Sequence, residues 1–598
     1  MDMAMTPITN LSQYRVHILV FLLAGIAALT CAHPAFLVND EWITANQLVQ
    51  LNEGHQAIIT EGNYGAFENG TWYPYFTERN GILGYSLLYP LVSLPAEWIV
   101  YLFGDQFTFV ITYIWTFLLI TLALVLNAFF PEYTHFRKWR WTSALIVLTF
   151  ISFFLNLNYY TPFRLTSENS SPEILAIVFT NVLLFALLAV MVYEILRTIF
   201  RDLTLAFVGT VICLSCSSYF FWTTFCKDHV LIALLFSIIL LLVIKFLITD
   251  NPPWLFGGFF MAGLLIWARP ELGVFIFIAL CIVILSLRFW LPAALSSQDP
   301  LLLISPVFTL LGAIPFFINN YLASKNLFIP SFVLSMNISS SSYGIQETSA
   351  ALLQADQLTS VTPLSSFPAD LIGILFAPQS GSMGILVIVP LFLAAIVVVP
   401  FLMKKDAGMF DEKEMVVISM LLLFSLAVFG AYINRAYGLN IDLGIMPDIR
   451  YLSPIYLPLT ITGLMVFKKA PGIMDKPLDL LTGMVGVWLI LIPLSLALIF
   501  RYYPDPMEWK YIFPLLNHWT TLCIFIVTLV FVLMYAVPVR NMRFAFLAKF
   551  AKIFFAFMCA LPLVWQVDAS FLTCLFAGGF GGYLFWLPGL LKLLNIVI

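Results

Sequence analysis

The chain is written mostly as long apolar runs separated by short polar stretches, and the runs set its class. A helix needs about 20 predominantly apolar residues to cross the hydrocarbon core of a bilayer. Runs of that kind fall at 16–36, 107–130, 141–160, 173–196, 203–222, 229–249, 254–268, 271–290, 301–319, 384–403, 415–433, 451–467, 477–500, 518–537, 547–566 and 570–590. The pattern predicts an all-α polytopic membrane protein, a bundle of roughly 13–16 transmembrane helices with short interfacial helices in its external loops. The first run follows a single Arg15 and is succeeded by many more, so it reads as an anchor helix rather than a cleaved leader. Between 254–268 and 271–290 stands Arg269-Pro270-Glu271, where Pro270 is compatible with a tight turn or with a kinked helix.

Two polar segments exceed the rest, 37–82 and 320–383. Connections of that length are usually functional or disordered. Lys and Arg decide which side they face: most of the 28 basic residues lie in stubs on one side, among them Arg137, Lys138, Arg140, Lys404, Lys405, Lys468 and Lys469. The positive-inside rule then places the N-terminus in the cytoplasm and both long segments outside, in a protein integral to the plasma membrane. The inner stubs hold no Walker or GxGxxG sequence, which leaves the outer face as the place for chemistry.

Composition agrees with the pattern. The chain has 598 residues, 61% hydrophobic and 10% charged, with mean hydropathy +0.97. A net charge of −4 offers no basic excess for nucleic acid. The cysteines are scattered through apolar runs without CxxC spacing and read as small hydrophobic residues. The sequons Asn69-Gly70-Thr71, Asn169-Ser170-Ser171 and Asn337-Ile338-Ser339 fall on the expected outer side.

The chemistry-bearing segment follows the first helix: Val38-Asn39-Asp40-Glu41-Trp42-Ile43-Thr44. Adjacent carboxylates there begin a stretch in which Ile43, Gln47, Leu48 and Leu51 have helical spacing, expected to lie along the interface. Asp40 also fits an N-cap, where its carboxylate accepts from backbone N–H groups. The segment continues through Tyr64, Trp72-Tyr73-Pro74-Tyr75-Phe76-Thr77-Glu78-Arg79 and Tyr85-Ser86-Leu87-Leu88-Tyr89-Pro90 to Leu94-Pro95. Aromatic residues serve as interfacial anchors, but mixed with acids and an arginine they also suit a sugar, apolar on its ring faces and hydroxylated at its edges.

Residues 38–95 resemble the first external loop of the GT-C superfamily of membrane glycosyltransferases, such as protein O-mannosyltransferases and aminoarabinose transferases. In that family an Asp-Glu pair follows the first helix and a Tyr/Pro segment leads into the second. Asp40-Glu41 and Tyr85–Pro95 are similar to these. Ala268-Arg269-Pro270-Glu271 and Arg450-Tyr451-Leu452-Ser453-Pro454 resemble further recurrent elements, and Phe376–Leu386 another, with Ser382 or Met383 where an arginine is often found. The resemblance covers 1–467, the expected catalytic module; 468–598 reads as additional transmembrane helices that match nothing specific.

The resemblance implies transfer of a sugar from a polyprenyl-phosphate donor to a protein, lipid or glycan acceptor. Asp40 is the expected general base, and Glu41 would orient it or bind the acceptor. A phosphate leaving group calls for guanidinium, whose planar fork donates two parallel bonds. The candidates are Arg269, Arg450, Arg79 and Arg435, each of which would serve equally as a snorkelling interfacial residue or as the partner of a carboxylate. Tyr85, Tyr89, Asp228, His229 and Glu173 complete the expected substrate-binding set. Asp228 and Glu173 also stand where helix caps form, and Lys227 offers Asp228 a local ion pair. No metal is expected, although Asp40, Glu41, Asp228 and His229 would supply hard ligands for a divalent ion. The other classes compatible with the chain are a lipid-linked saccharide transporter or flippase, which would show charges midway along its spans, and a scaffold without catalysis.

Overall fold

The computed structural model describes residues 7–32, 41–54, 85–129, 135–159, 171–290, 299–329, 367–376, 381–405, 409–438, 448–502, 509–540 and 547–577. Its helices are α1 (Pro7–Leu29), α2 (Glu41–Asn52), α3 (Leu88–Phe103), α4 (Thr108–Tyr113), α5 (Leu118–Phe129), α6 (His135–Tyr159), α7 (Pro172–Phe200) and α8 (Leu203–Ser215). There follow α9 (Tyr219–Trp222), α10 (His229–Thr249), α11 (Pro252–Ala268), α12 (Pro270–Trp290), α13 (Asp299–Ile304), α14 (Val307–Gly312) and α15 (Ile314–Ser324). The chain continues as α16 (Phe367–Phe376), α17 (Ile385–Ile388), α18 (Pro390–Lys405), α19 (Glu412–Gly438), α20 (Tyr456–Lys469), α21 (Pro477–Tyr502), α22 (Trp509–Arg540) and α23 (Leu547–Ala577). A 3₁₀ turn, Arg450–Ile455, leads into α20. Among the described residues nine helical stretches are long and apolar enough to cross a membrane, and five shorter apolar helices accompany them. The chain is an all-helical, multi-pass membrane protein.

The bundle is organised around α7 and α10. In each, 78% of the spanning window is buried, and α7 packs against α1, α3, α8 and α10. α7 begins with Ser171, whose hydroxyl accepts from the Ile174 N–H, followed by Pro172 at the first helical position. That pairing fixes a helix start, because proline has no N–H to leave unsatisfied there. Apolar association is weak inside lipid, so close packing of small residues has to hold helices together. Gly263 and Gly312 supply it where α11 meets α14: a Cβ on Gly263 would stand 2.3 Å from the Thr309 carbonyl oxygen.

Several expectations change. The run 203–222 is broken, with α8 ending at Ser215 and α9 opening at Tyr219, and the runs 547–566 and 570–590 join as α23 as far as Ala577. α2 forms where its apolar spacing predicts it, and it is covered by protein on more than its apolar face. Packed against α3 and α7, it buries Ile43, Leu48 and Val49 and also Thr44, Asn46, Gln47 and Gln50. The proline at 270 makes a tight turn rather than a kink: α11 ends at Ala268, Arg269 is extended (φ −145°, ψ 96°), and Pro270 starts α12. Helix then continues over Leu88–Phe129, 42 residues, which at ~1.5 Å per residue is about twice the bilayer core. Gly104 at φ +52° breaks it, separating α3 from the crossing made by α4 and α5.

Candidate functional site

Six widely separated segments end around one cavity of about 160 Å³. Its lining includes Thr44 of α2, Tyr85 and Tyr89 at the entry to α3, and Lys227, Asp228 and His229 at the start of α10. Arg269 and Glu271 at the α11–α12 turn, Asn319 and Asn320 of α15, and Arg450 and Tyr451 before α20 complete it. Six residues expected from the sequence, Tyr85, Tyr89, Asp228, His229, Arg269 and Arg450, therefore share a single wall.

Each arrives there for a local reason. The one-residue turn delivers Arg269, and Gly273 allows it, since a Cβ there would lie 2.4 Å from the Ile266 nitrogen of α11. Asn181 of α7, fully buried, donates to the carbonyls of Phe225 (2.5 Å) and Lys227 (3.2 Å) and so holds the loop that ends in Asp228. Gln47 of α2 donates to the Tyr85 carbonyl at 2.9 Å, tying α2 to the entrance of α3.

The charges are arranged around Tyr451. Arg269 donates through Nε (3.0 Å) and an η nitrogen (2.5 Å) to the two oxygens of Asp228. This bidentate pair replaces both simpler expectations for Asp228. Its side chain makes no cap bond to α10, and Lys227 instead places its ammonium 5.4 Å from the Tyr85 ring centroid. It also revises Arg269, whose fork is engaged by a carboxylate. Burial works against the Arg269 charge, but Asp228, Tyr432 and Tyr451 outweigh it and hold its pKa above the usual arginine value. The Arg269 and Arg450 guanidiniums lie 5.0 and 5.1 Å from the Tyr451 ring centroid, within cation–π range. Among the described lining residues three cations, Lys227, Arg269 and Arg450, stand beside two acids, Asp228 and Glu271.

Behind the wall lies Asp448, 1% exposed and absent from the expected set. Its Oδ2 accepts from Ser218 Oγ (2.6 Å) and Tyr456 OH (2.9 Å), and its Oδ1 from Trp222 Nε1 (3.0 Å). Burial raises its carboxyl above the ordinary value, while these bonds and Arg450 act in the opposite sense. The indole of Trp222 packs on His229, ring centroids 4.4 Å apart. Sequence offered a faint signal for Asp448, an acid two residues before Arg450 in a segment bounded by apolar runs, and none for Trp222 or Asn181.

The remaining expectations divide. Glu41 opens α2, is buried, and its charge adds to the burial that pushes the Cys226 thiol upward, which places it close behind the cavity wall. Thr44, one turn on, reaches the cavity itself. Asp40 and Arg79 lie outside the described residues. Arg435 falls in the last turn of α19, which extends further than the expected span, and its side chain lies outside the described set. Glu173 does not line the cavity: it sits in the first turn of α7, accepting from Tyr101 OH at 2.7 Å. Among the described residues no three His, Cys, Asp or Glu side chains are grouped to hold a metal ion.

No family model and no curated protein matches this chain. A solved structure is similar to it. This is the crystal structure of ArnT from Cupriavidus metallidurans bound to undecaprenyl phosphate, 12% identical, with a TM-score of 0.39 over 93% of this chain and 77% of that one. A likeness at that level transfers no residue role.

Proposed function

We propose that the protein is a GT-C-type glycosyltransferase that moves a sugar from a polyprenyl-phosphate donor to an acceptor hydroxyl at the outer membrane face. The reading is carried by one observation: segments around 44, 85–89, 227–229, 269–271, 319–320 and 450–451 converge on a cavity that combines aromatic rings, carboxylates and the cations Lys227, Arg269 and Arg450. Aromatic faces suit a sugar ring, and the cations suit the phosphate that leaves. In the reaction the acceptor oxygen bonds to the anomeric carbon as the anomeric C–O bond to phosphate breaks. The electron pair departs with the polyprenyl phosphate. Asp40, immediately before α2, takes the acceptor proton, and Glu41 orients it. Arg450 and Lys227 compensate the phosphate charge, with Arg269 held by Asp228 as part of the same wall. Arg79 and Arg435 are further candidates for the phosphate.

The test is Asp40→Asn in a transfer assay with purified protein and polyprenyl-phosphate sugars. Loss of a general base lowers the rate by ~10²–10⁴-fold. Near-normal transfer rejects Asp40 as the base, whereas sugar-lipid movement across vesicles that ignores this substitution favours a transporter.

A further inference from the structure

Two groups of the cavity wall far apart in sequence, His229 and Arg450, are both tied to one buried residue that does not line the cavity. Arg450 donates its backbone N–H to the Asp448 carbonyl at 2.9 Å. Its guanidinium also lies within electrostatic reach of the Asp448 carboxylate. His229 is reached through Trp222, whose ring packs on the imidazole while its N–H donates to Asp448 Oδ1. Ser218 and Tyr456 fix the other oxygen, and Met383 pairs with Asp448 in an isolated parallel bridge. Hence the α8–α9 break, the start of α10 and the 3₁₀ turn before α20 meet at a single carboxyl group. Trp has a single donor, and Asp448 supplies its acceptor, while the Arg450 guanidinium donates to Tyr451 OH at 3.4 Å and meets Asp448 through charge and main chain.

We propose that Asp448 is a positioning residue, which sets Arg450 through its charge and backbone and His229 through Trp222, and thereby fixes where the cavity's anion-binding group stands. The proposal rests on the reading of the cavity as a phosphate-bearing site for its consequence, but its geometry can be tested without any ligand.

The experiment compares the full-length wild type with Asp448→Asn. Asparagine keeps the shape and an acceptor for Trp222 while removing the charge that faces Arg450. Phenylglyoxal labels arginines faster when a neighbouring carboxylate no longer holds them protonated, and mass spectrometry reads each site. Labelling of Arg450 is expected to rise roughly three- to tenfold, with Arg269, held by Asp228, unchanged. A polyprenyl phosphate in detergent is the second probe, expected to bind D448N roughly tenfold more weakly. In a double-mutant cycle with Arg450→Lys the two losses should be non-additive. Arg450 labelling at the wild-type rate in folded D448N overturns the proposal. Should D448N fail to fold, Asp448→Ser, which also removes the charge and leaves a hydroxyl acceptor, is labelled in its place and judged by the same criterion. Absence of polyprenyl-phosphate binding by wild type overturns the functional reading alone, and the labelling result still decides the role of Asp448.

Discussion

The helices that surround the cavity and the last three among the described residues are built on different terms. α7 and α10 have 78% of their spanning windows buried, whereas α21 and α22 have 22%, and α23 stands between at 61%. The first pair carries buried polar groups at its ends, such as Glu173 and His229. The last three contribute no residue to the cavity lining. Besides apolar packing, directed bonds join them to one another and to the rest: Trp565 of α23 donates to Asn517 of α22 at 2.7 Å, Asn517 donates to the Gly381 carbonyl at 2.8 Å, and Gln566 bridges the α8–α9 break. That break leaves backbone groups without helical partners. Gln566 accepts from the Phe220 N–H and donates to the Ser215 carbonyl, at 3.0 and 2.9 Å. The C-terminal helices thus support the site from two removes, by mending the segment that presents Ser218 and Trp222 to Asp448.

Substitutions in the two regions should separate into effects on ligand and effects on folding. The largest is expected for Arg269→Ala, which leaves Asp228 without its bidentate partner. Transfer should fall at least about 100-fold, and the double variant with Asp228→Ala should lose less than the product of the single losses. Strictly additive losses would mean that the pair does not act as a unit. Gln566→Leu should cost about 2–4 kcal/mol of stability in thermal unfolding, because it leaves buried backbone groups unpaired. Polyprenyl-phosphate affinity in the surviving folded fraction should change little; a loss of affinity with unchanged stability would make the C-terminal helices part of the site. The smallest effect is expected for Leu489→Ala on the outward face of α21, where the side chain is 72% exposed. Its stability in detergent should stay within about 0.5 kcal/mol of wild type.

The helical body was legible because period and length are local properties, and the apolar runs of α7, α10 and α19 declare themselves. Breaks were harder to place. Ser215 to Tyr219 interrupts its run with no proline, glycine or charge at the break, and it depends on Gln566, hundreds of positions away, to satisfy it. Cavity residues that sit in short polar interruptions, Asp228, Arg269 and Arg450, stood out against their apolar surroundings. Their pairing did not, since adjacency favoured Lys227 for Asp228 and only the fold brings Arg269 to it. Asp448 and Asn181 were missed because each works by holding main chain or other side chains, a role with no sequence pattern.

The elbow at Arg269 has a consequence for what the cavity accepts. Between α11 and α12 the chain reverses within one extended residue, clamped by a proline after it and by a bare glycine face at 273. The guanidinium is therefore delivered by main-chain geometry rather than chosen from a range of rotamers. A guest must adapt to this lock, since the lock has almost no play with which to adapt to a guest.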